Sequence, residues 1–144
     1  MSENVKFKLL KVFQKELTYK SSDNIQSTEN LSAGINLELD AMNLEKNVFL
    51  SSLRIKFSAT ADTKPMFEIF VNMCGIFACT DQEKTLSEEE IKNAVQITFP
   101  TAIFPYARQI ISQTAYNGGF SNVVMDTIDF EELRLNQQKN ETVN

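Results

Sequence analysis

Four carboxylates crowd one short stretch of the chain: Asp126, Asp129, Glu131 and Glu132. Neighbouring carboxylates can do general acid–base work when their surroundings hold one protonated and the other ionised. That chemistry also needs a nucleophile or an oxyanion site beside the pair, and no such group stands near these four. Asp129 with Glu132 three positions on describes a helix N-cap more simply, with the other acids on a solvated helix face. Ser87 followed by Glu88, Glu89 and Glu90 makes a second acidic cluster. It has the form of a capping box, with its acids at the positive end of a helix dipole. Histidine is absent from all 144 residues. The commonest general base, the usual zinc ligand and every Ser–His or Cys–His pair go with it. Cys74 and Cys79 are the two thiols, and a lone Cys-x4-Cys supplies too few ligands for a metal. Their apolar setting reads most plainly as two buried thiols in a reducing compartment, with a single disulfide as the other reading. No glycine-rich loop is built to cradle phosphate. Neither an enzyme nor a cofactor is expected.

Arg108 lies among Ala107, Ile110 and Ile111 and would be costly to bury unpaired. Its expected role is to tie a helix to a carboxylate, within the chain or across an interface. Fourteen basic residues against nineteen acidic ones give a net charge of −5, the wrong sign for gripping a phosphate backbone. No apolar run approaches the eighteen residues of a membrane span, and the N-terminus lacks a signal-peptide layout. A soluble, cytoplasmic protein is expected, with no nucleic acid partner and no membrane insertion. The length predicts a single domain over 1–144. Tryptophan is absent, yet there are eleven phenylalanines.

From Val5 to Tyr19 apolar residues alternate with polar ones, with a disturbance at Leu9-Leu10 that reads as a bulge or a change of face. Ser21 to Asn30 is polar and reads as a loop. Ile35 to Asp40 places three aliphatics on one face of a strand and Asn36, Glu38 and Asp40 on the other. Val48 to Ala61 alternates in the same way, and Asp62 to Pro65 turns the chain. Met66 to Phe77 is a fourth strand, apolar on both faces, which predicts a second cover from a helix or another subunit. After Ser87 the period becomes helical through Ile91, Ala94, Val95 and Thr98. Pro100 and Pro105 predict a bend or break across 99–105, and Asn117-Gly118-Gly119 stops the helix. A short helix begins at Asp129, and the polar tail 137–144 is expected to fray. Strands first and helices afterwards predict an α+β fold: a four-stranded antiparallel sheet, a long interrupted helix and a short C-terminal helix.

Three pieces of the last third, Phe104-Pro-Tyr-Ala-Arg108, Gly118-Gly-Phe120 and Ile128-Asp-Phe-Glu-Glu-Leu133, resemble the SecB family of protein-export chaperones in order and spacing. Cys74-Gly-Ile-Phe77 resembles the end of that family's fourth strand, and Ile35 to Asp40 its second. The resemblance spans about 5–136. It implies a homotetramer, a dimer of dimers with the long helices between sheets. It also implies capture of non-native polypeptides or preproteins in apolar grooves without ATP, and their delivery to the translocase motor ATPase. Surplus phenylalanine, the two-sided strand and the missing histidine agree with a binding surface.

The resemblance carries a client groove onto Tyr19, Ile35, Leu37, Leu39, Phe120, Val124, Leu133 and Leu135. For any single one of these, core is the plainer reading, and Phe120, directly after two glycines, fits the groove best. Met42, Met66 and Met73 would supply adaptable contacts. The resemblance places Ile69, Val71 and Met73 at positions that govern assembly, and Glu16 where the motor docks. Lys20 and Phe70 replace acids at that docking surface, and 137–144 holds few charges where export-type members carry an acidic tail. A chaperone dedicated to an antitoxin or another specific partner is the alternative reading.

Overall fold

The computed structural model describes residues 5–23, 31–121 and 123–143, with side chains through Gln137. Strands β1 (Phe7–Ser21), β2 (Ser32–Glu45), β3 (Val48–Ala61) and β4 (Lys64–Cys79) form one antiparallel sheet in the order β1-β4-β3-β2. The α+β expectation therefore holds. The polar stretch expected to loop across to β2 falls largely at 24–30, outside the described residues.

Register explains which side chains face the helices. β3 alternates strictly, so Phe49, Leu53, Ile55, Phe57 and Ala59 share one buried face. They stand opposite Phe77, Met73, Val71, Ile69 and Phe67 of β4. β1 could not match that face by simple alternation, because its apolar residues change phase twice. Bulges between Leu9 and Lys11 and between Gln14 and Glu16 restore the phase. Leu9, Val12, Leu17 and Tyr19 then stand opposite Phe77, Gly75, Val71 and Ile69. The first bulge lies where the alternation is disturbed in the sequence. The second leaves no such mark.

The helical layer covers this face alone. α1 (Glu88–Asn93) leads through a π-helical turn (Ala94–Thr98) into α2 (Phe99–Asn117), which packs across β4 and β3. In the π turn the Phe99 N–H donates to the Ala94 carbonyl, five residues back. The irregularity therefore precedes Pro100. The break expected over 99–105 does not occur: α2 is continuous from Phe99 to Asn117, with Pro100 in its first turn directly after the π turn. Pro105 continues the helix on its exposed side, where water can reach the carbonyl it leaves unpaired. Gly75 allows the close approach, since a Cβ there would stand 2.9 Å from Phe77 and 3.1 Å from Ile103. Gly119 ends the segment after α2 at φ 97°, and α3 (Phe130–Val143) carries the polar C-terminal stretch onward as helix. Its start is capped by Asp129, whose Oδ1 accepts from the Glu131 and Glu132 N–H groups at 3.0 and 3.2 Å.

The opposite sheet face has no second layer among the described residues. β4 is nonetheless buried there at Asn72 and Cys74, where it runs centrally between β1 and β3. The phenylalanines are likewise spent inside. Phe99 stacks on Phe77 at 4.3 Å and meets Phe7 edge-on at 4.9 Å, while Phe67 packs on Phe120 at 4.4 Å. Phe7, Phe13 and Phe70 are half-buried and the other eight are buried, so the phenylalanine surplus builds core and is no sign of a binding surface. Cys74 and Cys79 are both free and buried. They lie five positions apart on one strand, so they point to opposite faces and cannot bridge each other.

Asn47 secures the join between sheet and helices. It takes a left-handed φ of 61° in the β2–β3 turn. Its amide nitrogen donates to the Asp81, Gln82 and Lys84 carbonyls at 3.3, 3.2 and 2.8 Å. The capping box then starts α1: Glu90 N–H donates to Ser87 Oγ at 3.1 Å, and Ser87 N–H to Glu90 Oε1 at 3.0 Å. The Ser87 backbone N–H, with Lys84 at 3.1 Å, holds the Glu90 carboxyl below its ordinary range. A depressed folded-state value contributes stability above the unfolded value and loses it as pH falls through the folded one. Glu90→Gln, which keeps the cap, should therefore destabilise the protein at pH 6 and become neutral near pH 3. Urea titrations at the two pH values test this; an equal effect at both would refute it.

Candidate binding cleft

An open cleft of about 500 Å³ lies between the free edge of β2 and the helices. Ile35, Leu37 and Leu39 form its floor, standing opposite Phe57, Ile55 and Leu53 of β3. They alternate on one strand face, which aims all three the same way. β2 is the sheet's edge, so nothing beyond it buries them fully, and Ile35 is 40% exposed. Val95 and Gln96 from the π turn and Phe130, Leu133, Arg134 and Gln137 from α3 and its start make the facing wall. Leu133 follows the Asp129 cap at the spacing that turns it inward with Phe130.

Four of the eight groove residues carried over from the resemblance thus meet in one cleft: Ile35, Leu37, Leu39 and Leu133. The other four do not. Val124 is 69% exposed in the connection before α3, and Leu135 is 53% exposed on its outer side. Tyr19 lies on β1, at the far edge of the sheet. Its ring approaches Gly118, where any Cβ would collide with the hydroxyl, and that hydroxyl is buried without a partner among the described residues. Phe120 corrects the expectation that it fits the groove best. It is 8% exposed and packs on Phe67, because its N–H donates to the Ala115 carbonyl and folds the connection back over the core.

Two further expectations change. Ile69, Val71 and Met73 do not face outward for assembly; they lie on the helix side of β4, buried in the chain's own core. Of the three methionines read as adaptable contacts, Met66 and Met73 are buried and Met42 alone is exposed. Glu16 is exposed on β1, opposite Asn72 on the open sheet face. Lys20 pairs in register with Glu68, and the half-buried Phe70 lies between Thr18 and Lys56. Lys56 binds Glu68 at 3.4 Å, and Arg54 binds Glu38 at 3.2 Å.

Val95, Gln96 and Arg134 were not singled out as lining residues by the sequence. Val95 shows helical spacing with Ile91, which signals a buried face but not the cleft it borders. Gln96 and Arg134 carry no local signal, because their place depends on the π turn and on α3 returning beside it. The cleft brings together apolar floor, open strand edge and few charges, and no cluster of metal-ligating side chains occurs among the described residues. Such a surface suits an extended polypeptide better than a reaction.

The sequence profile described as "Preprotein translocase subunit SecB" matches residues 1–141. The chain belongs to the SecB family. It is 37% identical over 131 residues to the Protein-export protein SecB of Orientia tsutsugamushi (strain Boryong), covering 88% of this chain and 79% of that one. The Protein-export protein SecB of Wolbachia pipientis wMel is 34% identical over 110 residues, covering 73% and 65%. Among solved structures, a SecB-like chaperone of Mycobacterium tuberculosis in complex with a ChAD peptide from the HigA1 antitoxin superposes with a TM-score of 0.74. It is 10% identical and covers 85% of this chain and 90% of that one, which makes it a likeness of SecB fold alone.

Proposed function

We propose that the protein is an ATP-independent holdase that captures non-native polypeptides and delivers preproteins for export. The observation that carries this reading is the cleft along β2, where Ile35, Leu37, Leu39 and Leu133 present apolar surface beside a strand edge that is free among the described residues. An extended segment can add backbone hydrogen bonds to that edge while its side chains enter the cleft. SecB family membership and the names of the export relatives support the cellular role. The same relatives favour general export over service to an antitoxin.

We place the protein in the cytoplasm, as a homotetramer built as a dimer of dimers. Linking several clefts on one assembly would let a long unfolded chain bind far better than a short peptide. The outer side of α2 supports assembly. Tyr106 and Tyr116 are exposed on it, and Arg108 is half-buried with no carboxylate in ion-pair range among the described residues. Motor docking would use the open sheet face around Glu16. With Lys20 and Phe70 where acids would serve, docking should be weak and salt-dependent.

Leu37→Asp tests the cleft. Leu37 is half-buried and opens on the cleft, so a charge there can remain hydrated while it spoils apolar capture. Suppression of aggregation of a denatured polypeptide, without nucleotide, should fall at least tenfold in potency, with the mass by light scattering unchanged from the tetramer of the parent. Full potency in the variant would remove the cleft from the mechanism.

A further inference from the structure

Two polar atoms lie buried within the wall of the cleft without partners. Arg134 Nη1 donates to Asn93 Oδ1 at 3.0 Å, which fixes the guanidinium against α1. Its Nε edge is buried with no hydrogen-bond partner, and so is Gln96 Oε1 on the neighbouring π turn. Both residues line the cleft. No carboxylate among the described residues comes within ion-pair distance of Arg134, although Glu131 and Glu132 stand on the same helix. Leaving a buried donor and a buried acceptor unsatisfied is costly.

We infer that the cleft has a subsite for the carboxylate at the C-terminal end of a polypeptide, held by Arg134 and Gln96. This rests on the client-binding reading and adds the chemical group that the cleft prefers. The last residue of a chain offers a carboxylate for the guanidinium and, on the same residue, an N–H for the Gln96 oxygen. One residue thus supplies one acceptor and one donor, matching the one orphaned donor and the one orphaned acceptor. The residue's side chain lies over Leu37, Leu39 and Leu133, and the preceding residues run along the free edge of β2. Both atoms are buried in the cleft wall, so the subsite requires the guanidinium to turn about its Asn93 anchor and the Gln96 amide to turn with it when a ligand enters. A charge-assisted pair in such a partly dry site discriminates strongly against a neutral end group. A carboxylate could also come from an Asp or Glu side chain. That source fits less well, because its neighbouring N–H is set further from the carboxylate along the chain.

The test uses the full-length protein and three labelled apolar octapeptides, read by fluorescence anisotropy. One ends in a free carboxylate, one is the same sequence amidated, and one is amidated with Glu next to last. The free acid should bind on the order of tenfold more tightly than either amide. Arg134→Gln should erase the difference, and Arg134→Lys should restore part of it. Equal binding of the free acid and its amide overturns the subsite, as does equal binding of the free acid and the Glu peptide. Aggregation suppression of a denatured protein is run alongside. If the protein is captured but the free acid shows no saturable binding up to millimolar concentration, the subsite falls and the chaperone reading stands. If neither is bound, both fall.

Discussion

Phe99→Ala is expected to lower the unfolding free energy by about 3–5 kcal/mol, the range for emptying a fully buried aromatic site. Phe99 has no exposure and touches three rings, Phe7, Phe49 and Phe77, at centroid distances of 4.9, 5.8 and 4.3 Å. It is also the first residue of α2, and its N–H closes the π turn on the Ala94 carbonyl. Truncation would therefore open a cavity between β1, β3 and β4 where the helix enters the core. The rings around it sit on different strands and cannot all close in. Urea denaturation followed by far-UV circular dichroism measures the loss. A change below about 1 kcal/mol would mean that the four-ring cluster is not a structural centre.

Val71→Asp is expected to unfold the chain, and not to release folded protomers from an assembly. Val71 has no exposure and sits on the helix side of the central strand, opposite Ile55 and Leu17. A carboxylate there meets no cation and no backbone donor that is not already paired in the sheet. Its desolvation would consume much of the roughly 5–15 kcal/mol that holds a domain of this kind together. Substitutions at Ile69, Val71 and Met73 would disturb assembly through the same route, by loosening the protomer that must assemble. The check is light scattering with circular dichroism on the purified variant. A folded monomer with an undiminished melting temperature would return these positions to an interface.

How far the sequence reached follows from what each element needs. β3 was legible to the residue, because one face is buried and the other solvated, and alternation records that directly. The helix caps were legible because their geometry is local: Ser87 with Glu90, and Asp129 with the amides that follow. β1 was half legible. Its second bulge, at Lys15, is set by the need to bring Leu17 and Tyr19 round to the face of β4, and that demand lies in another strand. Pro100 and Pro105 misled in the opposite way. Each looked like a break, but one stands at the start of α2 and the other on its wet side. The cleft was legible where it is made of strand, at Ile35, Leu37 and Leu39. Its other wall depends on α3 returning beside the π turn, a long-range fact that leaves no mark around Gln96 or Arg134. Phe120 was misjudged because two glycines suggest freedom, whereas here they let the chain fold back on itself.

The π turn makes the protein unusually sensitive to its own length at one place. Five residues, Ala94 to Thr98, occupy a turn that an α-helix would close with one fewer. Deleting Thr98 would therefore leave a chain able to run in one α-helical register through this turn, with gaps in its ladder only where Pro100 and Pro105 lack an N–H. Yet each residue advances an α-helix by about 100°, so everything upstream of the deletion would rotate about the axis by that much relative to α2. Val95 and Gln96 would swing away from β2, and Ile91 would leave the core. The deletion improves the local ladder and dismantles the cleft. Losses of a single codon should accordingly be rejected between 94 and 98, which a library of one-residue deletions would display as a gap.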